Sequence, residues 1–379
     1  MLSVNSVLLR VVFYSFVCAG FSAFAIPPEP DAERLITDLG LRETAKPIRQ
    51  YSHWKKPQNI VVYLPGNRPL IRDDFKDWMQ AAAGDARITY VRSRLELEEV
   101  KQDADAMLGY CFDVTPDMRN LTWVQNYFVG IDRCTDNEYL KKGQVLLTNM
   151  QAIPGPGMAE HAIGMMLMLT HKLYVYHKQQ WQGEWKRISD ANEQVMEVGG
   201  KTLLIVGLGG IGRQVAKLAH GLGMQVIATR RSSREGPDTV AYVGLADELM
   251  ELAKKADVVI NATPLTSSTR GLFDRKFFQN MKSSAYFINI GRGKSVVTED
   301  LLAALKHGEI AGAGLDVTDP EPLPDEHPLW KTSNVIITPH SSSPSDKMTE
   351  RFWTLVRENL RRYTLGEPML NVTDIERGY

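Results

Sequence analysis

Three residues late in the chain, Arg292, Glu321 and His340, are of the types needed to reduce a carbonyl that sits beside a carboxylate. A guanidinium can hold the carboxylate in a fixed fork while polarising the neighbouring carbonyl oxygen. As a hydride arrives, charge grows on that oxygen, and an imidazole is the natural proton donor. A glutamate would orient the imidazole and offer it a counter-charge, and the neutral imidazole would act as base in the reverse reaction. Taken singly, each residue reads as an ordinary surface or loop residue. Taken together they do not, because each lies at the carboxyl end of an expected strand: Ile288-Asn289-Ile290 before Gly291-Arg292-Gly293, Gly314-Leu315-Asp316-Val317 before Glu321, and Val335-Ile336-Ile337 before Thr338-Pro339-His340. Open α/β sheets bind ligands at such strand ends.

A second constellation lies upstream. Leu203-Leu204-Ile205-Val206 runs into Gly207-Leu208-Gly209-Gly210-Ile211-Gly212, a GxGxxG spacing between a strand and a helix. Gly207 suits a tight turn, Gly209 lets backbone amides approach a pyrophosphate, and Gly212 permits close packing of helix on strand. Gly210 and Ile211 open the helix whose amino terminus would face the anion. The strand context raises a dinucleotide site above a merely glycine-rich turn. The following strand, Gln225 to Thr229, lacks the acidic end that would bind ribose hydroxyls. It continues as Arg230-Arg231-Ser232-Ser233-Arg234, donors suited to a 2'-phosphate. NADP is therefore the preferred cofactor and NAD the possible second, with an exposed basic loop as the plain alternative.

The elements that must position these groups fall into two series. Ile60 to Leu64, Ile88 to Val91, Ala106 to Leu108, Leu121 to Val124 and Val145 to Thr148 form the first. Leu203 to Val206, Gln225 to Ala228, Val258 to Ile260, Tyr286 to Ile290 and Val335 to Ile337 form the second, alternating with helices such as Glu299 to His307. Continuous apolar strands between amphipathic helices predict two doubly wound parallel-sheet domains of α/β class. One long Met- and Leu-rich helix is expected from Glu160 to about Gln180, either as a core or interdomain helix or as an oligomer face. The last helix, Ser345 to Arg362, has no place in the second sheet and is expected to return to the first.

The ordered set resembles the D-isomer-specific 2-hydroxyacid dehydrogenases of the glyoxylate/hydroxypyruvate reductase kind. The resemblance is carried by Asn289-Ile290-Gly291-Arg292-Gly293, by Asp316-Val317 with Glu321-Pro322-Leu323, and by Thr338-Pro339-His340. Ala159-Glu160-His161, Pro264-Leu265-Thr266 with Thr269, and His327-Pro328-Leu329-Trp330 extend it over roughly Asn59 to the carboxyl terminus. It implies a flavodoxin-like substrate domain (58–150 and 345–379) with an inserted Rossmann dinucleotide-binding domain (151–344), and a homodimer. It also implies catalytic roles for Arg292, Glu321 and His340, with Asp316 meeting the nicotinamide carboxamide and Thr263, Pro264 and Asn289 lining the cofactor beside Arg292 and His340. Gln125 to Asp132 matches the loop whose backbone amides hold the substrate carboxylate, which makes Val129 and Gly130 substrate-binding positions. Tyr127 and Phe128 depart from that loop's usual small residues, and Tyr110 and Phe112 could extend an aromatic wall. His161 reads as structural.

Two alternatives accompany this reading. A phosphite-type dehydrogenase shares the scaffold, whereas a formate enzyme would carry glutamine in place of Glu321. A dinucleotide-sensing binding protein on the same fold would bind without turnover. With 44 basic and 45 acidic residues the chain has no bulk field for nucleic acid or anionic lipid. Cys18, Cys111 and Cys134, with no CxxC, indicate neither a disulfide framework nor a metal site. At the amino terminus, Arg10, an apolar run from Val11 to about Phe21 and Ala23-Phe24-Ala25 form a signal-peptide pattern over 1–25, ahead of an extension over 26–57 with a short helix near Asp31 to Leu39. The run is too short to span a bilayer. Export and an intracellular cofactor pool point in opposite directions, so the sequence leaves the compartment open between periplasmic or secreted and cytoplasmic.

Overall fold

The computed structural model describes residues 31–64, 72–187 and 195–378. Two parallel sheets carry the chain. The first is built from β1 (Asn59–Tyr63), β2 (Arg87–Val91), β3 (Ala106–Gly109), β4 (Trp123–Asn126) and β5 (Leu146–Thr148), in the order β2-β1-β3-β4-β5. The second is built from β6 (Thr202–Val206), β7 (Gln225–Thr229), β8 (Tyr242–Gly244), β9 (Val258–Asn261), β10 (Tyr286–Asn289), β11 (Gly312–Leu315) and β12 (Val335–Ile337), in the order β12-β11-β10-β9-β6-β7-β8. These orders are the flavodoxin-like and Rossmann arrangements, and each places a topological switch point at its first strand.

Both faces of each sheet are covered, which is why the strands read as unbroken apolar runs rather than alternating ones. The carboxyl-terminal helix Met348–Leu365 packs Phe352, Leu355, Val356, Leu360 and Tyr363 into the core of the first sheet. Tyr363 stacks on the buried Trp123 of β4 with ring centroids 4.7 Å apart. The extension ahead of β1 joins the same core through Leu39, Leu41 and Ile48, and Glu43 bridges to Leu370. Its helix runs Ala32–Leu39.

Several expectations are corrected. The Met-rich helix is two helices, Gly155–Thr170 and Leu173–Trp181, broken where Lys172 adopts a left-handed φ of 55°. Periodicity does not register such a break. Met158, Met165, Met166 and Leu169 are buried in the core of the second sheet. The fourth strand begins at Trp123 rather than Leu121, β8 is an addition to the expected strands, and β11, expected only as a strand end at Gly314-Leu315, begins at Gly312.

The larger correction is a disulfide between Cys111 and Cys134, 23 residues apart with Cα atoms 5.9 Å from one another and both residues buried. It ties the turn after β3 to the loop after β4. Closing a loop of that length restricts the unfolded chain by about 3 kcal/mol. Replacing both cysteines by alanine is therefore expected to lower the urea midpoint of the first domain, and an unchanged midpoint would remove the bond from the stability of the fold.

Candidate active site

The carboxyl ends of both sheets face one cleft of about 1100 Å³. Its second-domain wall begins at the glycine loop. Gly207 follows β6 with φ of +99°, and a Cβ there would lie 2.8 Å from the Ala262 carbonyl oxygen after β9, so the crossing at the switch point admits only glycine. Gly207, Gly209, Gly210 and Ile211 line the cleft together with Thr263, Pro264, Arg230 and Arg231. Gly212 lies behind it, against the Gly207 carbonyl and Ile205, in the packing position expected of it. This loop and the amino terminus of helix Gly210–Gly221 fit the pyrophosphate of a dinucleotide.

At the end of β7, Arg230 donates from Nη1 to the Glu235 carbonyl oxygen at 2.7 Å. Burial, then the guanidinium groups of Arg213 and Arg42, lower its pKa from the ordinary arginine value. Arg42 comes from the extension, where its carbonyl accepts from the Asn371 amide at 2.8 Å, and it lines the cleft. No sequence signal pointed to Arg42 or Arg213. Arg234 turns away to an ion pair with Glu248 at 2.6 Å.

The three groups expected to do chemistry, Arg292, Glu321 and His340, all line the same cleft. His340 Nδ1 and Glu321 Oε1 are 2.6 Å apart, with both side chains roughly half exposed. His340 adopts a left-handed φ of 50°, unusual for a residue with a Cβ. Asp316 holds it there. The backbone oxygen of Asp316 accepts from the His340 amide at 2.8 Å, and its carboxylate accepts from the Ser341 and Ser342 amides and the Thr338 hydroxyl. Burial works to raise the pKa of Asp316, but the hydrogen bonds from Ser342, Thr338 and Ser341 outweigh it and the net shift is downward.

Asp316, expected to meet the nicotinamide carboxamide, is 2% exposed and sits behind the residues that line the cleft. Its oxygens are engaged in holding the His340 turn. His161 supports the same turn, with Nε2 3.0 Å from the Thr338 hydroxyl.

Arg292 is fixed from two sides. Its Nη1 donates to the Gly291 carbonyl at 2.9 Å, while Nε and Nη2 each lie 3.4 Å from Asp132 Oδ1 in the first domain. Gly130 touches the same guanidinium so closely that a Cβ would fall 2.0 Å from Nη2. Val129 and Gly130 line the cleft at this point. Asn289, expected beside the cofactor, lies fully buried instead. Its Oδ1 accepts from Asn261 Nδ2 at 2.9 Å and from the Gly291 amide at 3.0 Å.

Asn261 also donates to Ser295 at 2.8 Å, and its Oδ1 accepts from the Thr263 amide and hydroxyl. One buried amide thus sets both the Thr263 loop and the Arg292 loop. Its only sequence signal was a polar residue closing the run Val258-Val259-Ile260. Asp132 carried no signal of its role either.

The NAD-binding domain model of D-isomer specific 2-hydroxyacid dehydrogenases matches residues 163–342. A glyoxylate reductase of Pyrococcus furiosus is 36% identical over 283 residues, covering 72% of this chain and 82% of that enzyme. The chain belongs to the D-isomer specific 2-hydroxyacid dehydrogenase family.

A family protein from Aeromonas salmonicida superposes with a TM-score of 0.70 at 29% identity, over 84% of this chain and 99% of that one. The NADPH-dependent glyoxylate/hydroxypyruvate reductase of Sinorhizobium meliloti, solved with NADP and sulfate, gives 0.70 at 25% identity, over 85% and 100%. The dehydrogenase is accordingly an NAD(P)-dependent oxidoreductase built from a flavodoxin-like and a Rossmann domain. Among the described residues no helix is long and apolar enough to cross a membrane.

Proposed function

We propose that this dehydrogenase is an NADP-preferring, D-specific reductase of small 2-oxo acids. The observation that carries the reading is the 2.6 Å contact of His340 with Glu321 in the cleft that also holds Arg292 and the glycine loop. When bound, the nicotinamide supplies the hydride. Arg292 takes the substrate carboxylate in its fork and leans a donor towards the carbonyl oxygen. Nε2 of His340 gives that oxygen its proton while Nδ1 stays with Glu321. Asp132 keeps the guanidinium extended across the cleft, and Val129 and Gly130 bring backbone against the same carboxylate.

The cofactor preference is supported by Arg230 and Arg231 at the end of β7, by the absence of a carboxylate there, and by Arg42 and Arg213 nearby. Burial, then the guanidinium groups of Arg213 and Arg42, depress the pKa of Arg230, Glu235 offsets them only in part, and a phosphate would relieve the remainder. Steady-state assays with glyoxylate, hydroxypyruvate, pyruvate and phenylpyruvate, each with NADPH and NADH, test the reading. Turnover is expected with NADPH. Cofactor binding with no turnover of any of them would favour a dinucleotide-sensing protein, and NADP reduction by phosphite alone would favour the phosphite-type reaction.

Two further parts belong to the proposal. A homodimer is supported by Leu173, Tyr176, Trp181 and Trp185, which expose large apolar surface on and after one helix, and the mass in solution decides it. Export is supported by the buried Cys111–Cys134 bond, which suits an oxidising compartment. Residues 1–25 lie outside the described residues. Native protein should then begin near Ile26, and an intact Met1 on the native protein would contradict export.

A further inference from the structure

We infer that the substrate carries an aromatic side chain, stacked in the cleft on the Phe128 ring, which Tyr110 and Phe112 support. The inference rests on the reading of the protein as a 2-oxo acid reductase and names the substrate class of that same site. Phe128 is 44% exposed although other rings surround it. Its ring lies 5.0 Å from Tyr110 at 28° and 6.3 Å from Phe112 at 25°, and Phe112 lies 5.1 Å from Tyr110 at 7°. The three rings are therefore nearly parallel. Tyr110 stands behind, braced edge-on by Tyr63 and Tyr127 at 5.8 and 5.7 Å, while Phe112 and Phe128 face the cleft.

The wall is stiff. The Phe128 carbonyl accepts from the Met150 amide at 3.2 Å and from Asn126 Nδ2 at 3.1 Å. Phe112 is covered by the Arg133 guanidinium, 4.4 Å from its ring centre. The Cys111–Cys134 disulfide joins the residue before Phe112 to the residue after Arg133, so ring and cation are fixed as one unit.

Position decides what this surface meets. Phe128 is two residues from Gly130, which touches the Arg292 fork that would hold the substrate carboxylate. The substituent on the carbonyl carbon of a 2-oxo acid leaves the fork within a few bonds of that carboxylate. The hydrogen of glyoxylate cannot reach a ring, and Phe128 would stay uncovered. An aryl group one or two bonds further out can cover it, burying apolar surface and gaining the offset stacking that aromatic pairs prefer.

The test is the ratio of kcat/KM for phenylpyruvate over glyoxylate, with 2-oxohexanoate as an alkyl control, in wild type, Phe128→Ala and Phe112→Ala. NADPH binding by fluorescence titration checks that each variant is folded. Wild type is expected to favour phenylpyruvate at least tenfold over both other acids. Phe128→Ala should lower the phenylpyruvate-to-glyoxylate ratio about tenfold, as loss of a ring partner implies. An alkyl acid as good as phenylpyruvate, a wild type that favours glyoxylate, or a ratio unchanged in both variants would overturn the aromatic assignment alone. No turnover of any 2-oxo acid by wild type would overturn the underlying reading and this one with it.

Discussion

His340→Ala is expected to lower turnover of a 2-oxo acid by about 100- to 10,000-fold, the contribution of a positioned proton donor, while NADPH binding changes little. The expectation follows from where the side chain sits. Its ring is held through Nδ1 by Glu321 at 2.6 Å, and its backbone is pinned by Asp316, so Nε2 is left to the cleft. Alanine removes the donor without disturbing the glycine loop on the far side of the cofactor site. Glu321→Gln keeps an oxygen for Nδ1 but loses the counter-charge, and its turnover should fall between wild type and His340→Ala. Stopped-flow reduction under single-turnover conditions separates these losses from product release, and an unchanged rate in His340→Ala would take the imidazole out of the mechanism.

Reversal of cofactor preference is the second large effect. Arg230→Asp combined with Arg231→Ala removes two donors from the end of β7 and adds a carboxylate where ribose hydroxyls would be bound and a 2'-phosphate repelled. One charge-assisted contact is worth roughly 1.5 to 3 kcal/mol, or about ten- to a hundredfold in affinity. The ratio of kcat/KM with NADPH to that with NADH should therefore drop by at least about tenfold in the double variant. Arg42 and Arg213 remain in that variant, so residual NADPH binding is expected. A wild type that favours NADH, or a ratio that stays put, would make Arg230 and Arg231 ordinary surface charges.

What could be read from the sequence was local. The glycine loop and the trio Arg292, Glu321 and His340 are marked by short patterns at strand ends, and all line one cleft. The alternation of apolar runs with helices was enough to indicate two doubly wound sheets. Contacts between distant positions were not legible. Arg292 meets Asp132 across 160 residues, and neither sequence neighbourhood announces the other. The Cys111–Cys134 pairing depends on two loops converging at the end of the first sheet, which spacing alone cannot show. Only the carboxyl end of β11 is legible, because Gly312-Ala313-Gly314-Leu315 has no β-branched residue, although all four are buried between β10 and β12. Asp316 and Asn289 are expected beside the cofactor only through the family resemblance, and no pattern in the residues themselves points to what they bond. In the structure both satisfy the backbone of the turns that present His340 and Arg292.

Product stereochemistry decides whether this dehydrogenase reduces 2-oxo acids to D-2-hydroxy acids with a nicotinamide cofactor. Protein lacking residues 1–25 is incubated with NADPH and, separately, with pyruvate, hydroxypyruvate and phenylpyruvate, and the products are resolved by chiral chromatography against the NADPH consumed. The D-2-hydroxy acid is expected from at least one of them, in an amount equal to the NADPH oxidised. The L isomer, or no NADPH oxidation with any of the three, would contradict it.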